Sequence, residues 1–361
     1  MKRIERLALL KVEKRPVPSG HVILSVSILA ILAALVVVAI FFASYGTSPF
    51  RAYGAIIKGA FGSWQGFSET LRRMIPLLLC GVGLTVAFRA LFWNIGADGQ
   101  LLFGAIAATW VALFSGLHGP VVIPMMFLAG FAAGALWGVI PAVLKVKMRI
   151  NDVITTLMMN YIAMYIVLYL IHGPWKGPSV RGYPLTDIFS PAAQLPTIGN
   201  THVHWPTLLL GLFLALAAYI MLNRSKSGFE IQVVGENPHA ARFAGISELK
   251  TTVTAMLTSG GLAGLAGVGE VAGVHLRLFD PNQISMGYGY TAIIVAWLAR
   301  KNPLAVIVTS FFFGVLMAGG DVIKVNLGLP FQLINMFNGV IMFFLIGSEI
   351  FMRYRITLRR K

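Results

Sequence analysis

The 361-residue chain has one cysteine, Cys80, and it lies inside an apolar run. A single thiol excludes a disulfide framework and a cysteine-based metal centre. Charge is also scarce. Asp, Glu, Lys and Arg make up 12% of the residues, about half of what a soluble globular domain carries. No G-x-x-x-x-G-K-[ST] phosphate loop and no H-E-x-x-H pair occurs, so the chain is not expected to bind ATP or a zinc ion by those devices. The seven histidines are scattered. His202 and His204 form a pair within a polar loop and read as solvated. No catalytic residue, metal or cofactor is expected.

What the chain has in quantity is apolar surface. Hydrophobic residues make up 57% of it, and the mean hydropathy is +0.79. Both values predict an all-α, polytopic membrane protein. The net charge of +16 would suit a nucleic-acid partner, but the basic residues sit beside apolar spans rather than on a soluble face. The expected surroundings are therefore the lipid bilayer.

A basic segment, residues 1–21, precedes an apolar run at 22–44. That run exceeds the roughly 7–15 residues of a signal-peptide core and reads as a retained first span. Residues 45–70 are mixed, with Trp64 and Phe67 as interface anchors. Further spans are expected at 74–93, 98–116, 121–144, 152–171, 205–222, 251–273, 285–300, 303–320 and 332–351, ten in all counting the first. A long Pro-rich loop (172–204) and a polar central loop (223–250) interrupt them. With the N-terminus inside, most of the 29 lysines and arginines fall in inner loops. Arg51, Lys58, Arg72, Arg73, Lys176, Arg181, Arg277 and Lys324 are left outside. The bias places both termini and the central loop in the cytoplasm, and loop 172–204 on the opposite side.

The stretches GADGQLLFGAIAATW (96–110) and GYGYTAIIVAWLARK (287–301) share a glycine-polar opening before an Ala-rich helix. They are the third and eighth spans. An odd offset of five inverts one copy relative to the other, so an inverted five-helix repeat is expected. Gly130/Gly134/Gly138 and Gly260/Gly264 have the small-xxx-small spacing that lets helix backbones approach closely in lipid. Polar groups within spans are costly and mark candidate pathway positions. They are Asn94, Asp98 and Gln100 around a double-glycine break, Asn160 on the face of Asp152 and Thr156, Glu270, Tyr288, Tyr290 and Asn335. For each of them, capping or interhelical bonding is the competing role.

The central loop reads as structured. Asn237 is a good N-cap, Pro238 suits the first helical position, and Gly245 is a natural stop. A short helix over 238–244 outside the bilayer follows, with Phe243 and the alanines free to dock.

The segment GENPHAARFAGI (235–246) resembles the cytoplasmic coupling loop of ABC importer permeases of the simple-sugar and nucleoside branch. FWNIGADGQLLFGA (92–105), INDVITTLMMNYIA (150–163), SGGLAGLAGVGEVAG (259–273) and GYGYTAIIVAWLARKNPL (287–304) match nucleoside-type permeases in the family's order. Asp98 and Asp152 depart from the pattern, which usually has Glu at both places. The resemblance implies one permease domain over residues 1–361, in a bacterial inner membrane. It implies three protein partners: an ABC ATPase subunit, a second, related permease subunit and an extracytoplasmic substrate-binding protein. Gly235, Asn237, Pro238, Ala240, Ala241, Arg242, Phe243 and Gly245 would meet the ATPase. Nucleosides are the expected solutes, with simple sugars such as ribose or galactose as the alternative. From the carboxylates alone, an ion-coupled carrier using Asp98, Asp152 or Glu270 is the competing mechanism.

Overall fold

The computed structural model describes residues 10–14, 20–179, 182–328 and 332–358. In chain order they form β1 (Leu10–Lys14), α1 (Gly20–Ser44), α2 (Pro49–Phe61), α3 (Trp64–Arg89), α4 (Ala97–Phe114), α5 (Val122–Met148), α6 (Asp152–His172) and α7 (Trp205–Arg224). These are followed by α8 (Lys226–Glu236), α9 (Pro238–Phe243), α10 (Glu248–Gly269), α11 (Pro281–Ser285), α12 (Tyr288–Leu298), α13 (Pro303–Leu327), α14 (Gln332–Arg353) and β2 (Tyr354–Leu358). The protein is an all-helical polytopic membrane protein apart from the two five-residue strands. Two compact units make it up, residues 1–57 with 320–361 and residues 58–319.

In the first unit, α1 packs along α14, and β1 pairs antiparallel with β2, Leu10 opposite Leu358. These strands are not legible in the sequence, because their apolar and basic residues read simply as flanks of spans. Along α1, Ala30, Ala34, Val38 and Phe42 are buried while Leu29, Leu32, Val36 and Ile40 are exposed. That is one face of a 3.6-residue period. Gly46 adopts a φ of 73° at the corner where α1 meets α2 at 111°. The Tyr53 hydroxyl ties the corner by donating to the Leu35 carbonyl at 2.5 Å.

The second unit is built on α10. It packs most heavily on α5 and then on α3 and α4. Glycine makes this possible. A Cβ on Gly264 would strike the Gly130 carbonyl, one on Gly134 the Gly260 carbonyl, and one on Gly104 the backbone of Gly264. The two small-residue stripes seen in the sequence therefore face each other. Gly104 of α4 joins them, and it was not legible because no second glycine stands four residues from it on its helix. Backbone contact of this kind supplies dispersion where lipid gives no hydrophobic drive to association.

Among the described residues, seven helices are long and apolar enough to cross a membrane, and the bent α1–α2 pair makes eight crossings if taken as one span. The continuous span expected at 285–300 is replaced by a break. α12 has 11 residues and rises about 16 Å, half of a ~30 Å hydrocarbon core. Its far end lies with the ends of α3 and α7, where Arg89 donates to the Lys301 carbonyl (3.2 Å) and to Asn223 (3.1 Å). At the other end, residues 276–278 bond to loop 172–204: Phe189 N donates to Leu276 O at 2.8 Å and Thr186 N to Leu278 O at 3.0 Å. The crossing is thus made by an irregular segment, the one-turn α11 and the short α12. Gly287 (φ 70°) and Met286 (φ 43°) turn the chain into α12, and the double glycine of 287–289 is the sequence trace of that break.

Candidate functional site

The residues between α3 and α4 form a non-helical stretch held by side chains. Asn94 and Gln100 are buried and exchange two amide hydrogen bonds of 2.9 and 3.1 Å. Asn94 also donates to Ser259 Oγ on α10 (3.0 Å) and accepts from Gly96 N (3.0 Å). Asn160 on α6 accepts from Gly99 N at 2.8 Å and donates to the Ile95 carbonyl at 2.9 Å and to Tyr290 Oη at 3.0 Å. Thr156, one turn earlier, accepts from Ile95 N at 3.2 Å. Unsatisfied amides are expensive away from water, so a broken backbone at this position needs these partners. The face expected from Asp152, Thr156 and Asn160 is thus a rail that carries the break.

Asp98, in the first turn of α4, is buried, and Gly289 N in the first turn of α12 donates to it at 2.8 Å. The Ser285 side chain is hydrogen-bonded to the same carboxylate. The carboxylate lies at two helix N-termini at once, where partial positive charge gathers. The two stretches with the shared glycine-polar opening therefore meet tip to tip.

An open cavity of about 220 Å³ adjoins this point, lined by Asp98, Leu102, Asn160, Tyr161, Met164, Pro281, Asn282, Ser285 and Tyr290. This is below the roughly 300–1,000 Å³ of pockets that enclose a drug-sized ligand. Of the pathway candidates, Asp98, Asn160 and Tyr290 line it. Asn94 and Gln100 lie behind them as support. The side chain of Asn335 on α14 lies outside the described residues.

Glu270 and Tyr288 belong to a different cluster. Glu270 begins a turn of π-helix (Glu270–His275) and is fully buried, 3.9 Å from Arg72 Nη1 and 3.6 Å from His275 Nε2. Arg72 and Arg73 both bind Glu69, Arg73 at 3.0 Å. Tyr288 is fully buried, with its hydroxyl 3.9 Å from Met286 Sδ. His204, expected to be solvated, is fully buried, and its ring packs on Gly269 and Gly273. Burial pushes its pKa down to about 4, with Glu270 opposing that shift and Arg72 adding to it, so the ring is neutral. Nothing in the sequence distinguished His204 from His202, because the glycines that receive its ring lie some 70 residues away.

Asp152 accepts from Trp93 N (2.8 Å) and pairs with Lys145 Nζ (2.6 Å), which also donates to the Leu91 carbonyl (2.8 Å). It clamps the start of the break to the ends of α5 and α6.

At the same end lies the central loop, and it carries two helices where one was expected. Ser225 caps α8, accepting from Gly228 N at 3.1 Å. Asn237 caps α9 as its sequence suggested, its Oδ1 accepting from His239 N (3.0 Å) and Ala240 N (3.1 Å). Gly245, with a φ of 74°, ends the turn. A Cβ on Gly235 would strike the Arg89 carbonyl, so α8 rests directly on the end of α3. Ala241 is buried, Ala240 and Arg242 are exposed, and Phe243 is 95% exposed. Arg242 pairs with Glu248 (2.5 Å), which also holds Arg149 (3.3 Å).

Polar, broken helices meeting inside an apolar bundle define a membrane permease. Residues 66–346 match the family described as branched-chain amino acid transport system / permease component, and the chain belongs to it, among the ABC importer permeases of its simple-sugar and nucleoside branch. Three relatives match over nearly their whole length. The glucose ABC transporter permease protein TsgB13 of Haloferax volcanii is 36% identical, over 92% of this chain and 89% of the relative. The guanosine ABC transporter permease protein NupP of Bacillus subtilis is 32% identical, over 90% and 93%. The nucleoside ABC transporter permease protein NupB of Lactococcus lactis subsp. cremoris is 30% identical, over 89% and 90%. Permease subunits of this kind are not themselves enzymes. Membership sets aside the ion-coupled carrier suggested by the carboxylates alone.

Proposed function

We propose that the chain forms the translocation pathway of an ATP-driven importer for nucleosides, with simple sugars as the second reading. Relatives named for guanosine, nucleosides and glucose support both solute classes. Residues 1–361 act as one permease domain with both termini in the cytoplasm of a bacterial inner membrane. Energy comes from a separate ABC ATPase subunit. Its docking element is α9, where Asn237, Pro238, Ala240, Arg242, Phe243 and Gly245 face the partner and Gly235 and Ala241 seat the helix against this chain. An extracytoplasmic binding protein delivers solute to the side of loop 172–204, and a second, related permease supplies the other wall. Solute passes Asp98, Asn160 and Tyr290, with Asn94, Gln100, Glu270 and Tyr288 shaping the route.

The observation that carries this reading is Phe243. A large apolar ring, 95% exposed at the tip of a capped helix that is itself anchored by Ala241 and the Arg242–Glu248 pair, is a knob without a socket among the described residues. Arg242→Glu, or deletion of 237–245, is expected to abolish co-purification of the ATPase subunit. Retained assembly with ATP-dependent uptake overturns the proposal. Titrating the partner binding protein with guanosine and with glucose decides the solute class.

A further inference from the structure

The outward face of α6 does not suit lipid. Its exposed positions recur at Ile154, Met158, Tyr161, Tyr165 and Tyr169, and its buried ones at Asp152, Thr156, Asn160, Ala163 and Val167. The first half of the outward side is aliphatic and the second half is mainly tyrosine, with exposures of 49%, 64% and 70% for Tyr161, Tyr165 and Tyr169 beside Ile162 at 50%. No described residue is hydrogen-bonded to those three hydroxyls. The neighbouring spans differ. On α7 the exposed residues between Trp205 and Tyr219, which lie near its two ends, are Leu209, Phe213 and Leu216, with Ile220 following, and on α5 they include Leu128, Leu136 and Ile140.

Depth decides how the tyrosines are to be understood. Tyrosine is common at the membrane–water boundary. Tyr169 is three residues from the end of α6, about 5 Å, and fits there. Tyr161 is eleven residues from that end, about 16 Å, near the middle of a ~30 Å core. A phenol hydroxyl facing hydrocarbon at that depth would have no partner, at a cost of a few kcal/mol by transfer scales. The same Tyr161 lines the cavity with Asp98, Asn160 and Tyr290. The stripe is therefore continuous with a polar opening and ends at the boundary.

We propose that Tyr161, Tyr165 and Tyr169 form a wet aromatic track along which a ring-shaped polar solute moves between the cavity and the outer boundary. The inference rests on the pathway reading above and gives it a chemistry. Each phenol offers a flat face for stacking and a hydroxyl that replaces a water at the solute's edge. Rungs one helical turn apart let a ring pass from one to the next without a deep well. A nucleobase and a pyranose share this chemistry.

Cysteine accessibility tests the track without needing transport. The one native thiol, Cys80, is buried, so Tyr161→Cys, Tyr165→Cys, Tyr169→Cys and Phe213→Cys can be read in the assembled transporter in membranes with a membrane-impermeant, charged methanethiosulfonate. Labelling at 161 and 165 well above the Phe213→Cys background, slowed by guanosine or by glucose but not by leucine, is the expected result. Whichever solute protects identifies the ring. Labelling at 169 alone makes the tyrosines boundary anchors and overturns the proposal, as does labelling that no solute slows. Failure of ATP-dependent uptake in the unmutated protein would count against the importer reading while leaving the accessibility result intact. Uptake adds a second readout. Tyr165→Leu is expected to lose about tenfold, the equivalent of one stacking contact, and Tyr165→Phe less than about threefold. Equal loss in both overturns stacking.

Discussion

The Asp98 carboxylate accepts a 2.8 Å hydrogen bond from the amide of Gly289, 191 residues along the chain. That contact joins the tips of α4 and α12, the two helices that begin inside the bundle rather than at its ends. It is an ionisable acceptor where two helix N-termini converge, and it fixes the broken crossing beside the cavity.

Asp98→Asn keeps the shape but removes the charge. Charge-assisted hydrogen bonds contribute about 1.5–3 kcal/mol, and each nearby helix N-terminus about 0.3–1 kcal/mol more. The variant is expected to unfold in detergent at lower temperature and to transport poorly. An unchanged melting curve would remove Asp98 from the account of the break. Gly289→Ala should be worse, since the added Cβ strikes the backbone of Asp98.

The Asn94–Gln100 amide pair supports the cavity wall from behind. Asn94→Ala strips Gln100, Gly96 N and Ser259 of a buried partner, at about 1–3 kcal/mol for an orphaned group. Replacing Asn94 and Gln100 together by Leu should cost less than the two single changes added, because no polar group of that pair is left unpaired. Additive losses in a double-mutant cycle would contradict the pairing.

Close packing through Gly264 is tested by Gly264→Leu. Its side chain has no room between the Gly130 carbonyl and Gly134. Loss of the folded, monodisperse protein in detergent is expected, whereas Gly339→Ala, where no atom lies within 4 Å of the added Cβ, should be silent.

His204 gives a pH test. Its folded pKa of about 4 lies below the ordinary value of 6.5, so the folded state binds fewer protons than the unfolded one between those limits. Stability from this group is full above about pH 6.5 and is lost as the pH falls towards 4. Melting temperatures at pH 7 and pH 5 should differ more for the native protein than for His204→Phe. Equal differences in the two would assign the acid sensitivity to other groups.

Composition and pattern were enough to make the chain a helical membrane protein. Apolar runs and the Asn237-Pro238 cap act through neighbours a few residues away, and each formed the local structure its residues specify, while the glycine stripes showed which helix faces could pack closely but not which helix each would meet. The polar sites were visible as residues but not as partners. Asp98 and Tyr290 stand beside the cavity, while Glu270 and Tyr288, alike on paper, are held among Arg72, His275 and Met286. His204 was misread, and the crossing after His275 is broken where a continuous helix was expected. Those outcomes depend on contacts between residues some 70 to nearly 200 positions apart, and hydropathy carries no information about which polar groups meet. Sequence alone determined that most of the long apolar segments are helices and where the short capped helix α9 starts and stops. Only tertiary structure decided which buried polar groups hold the broken backbone and which face open space, because each must find its hydrogen-bond partner on another helix.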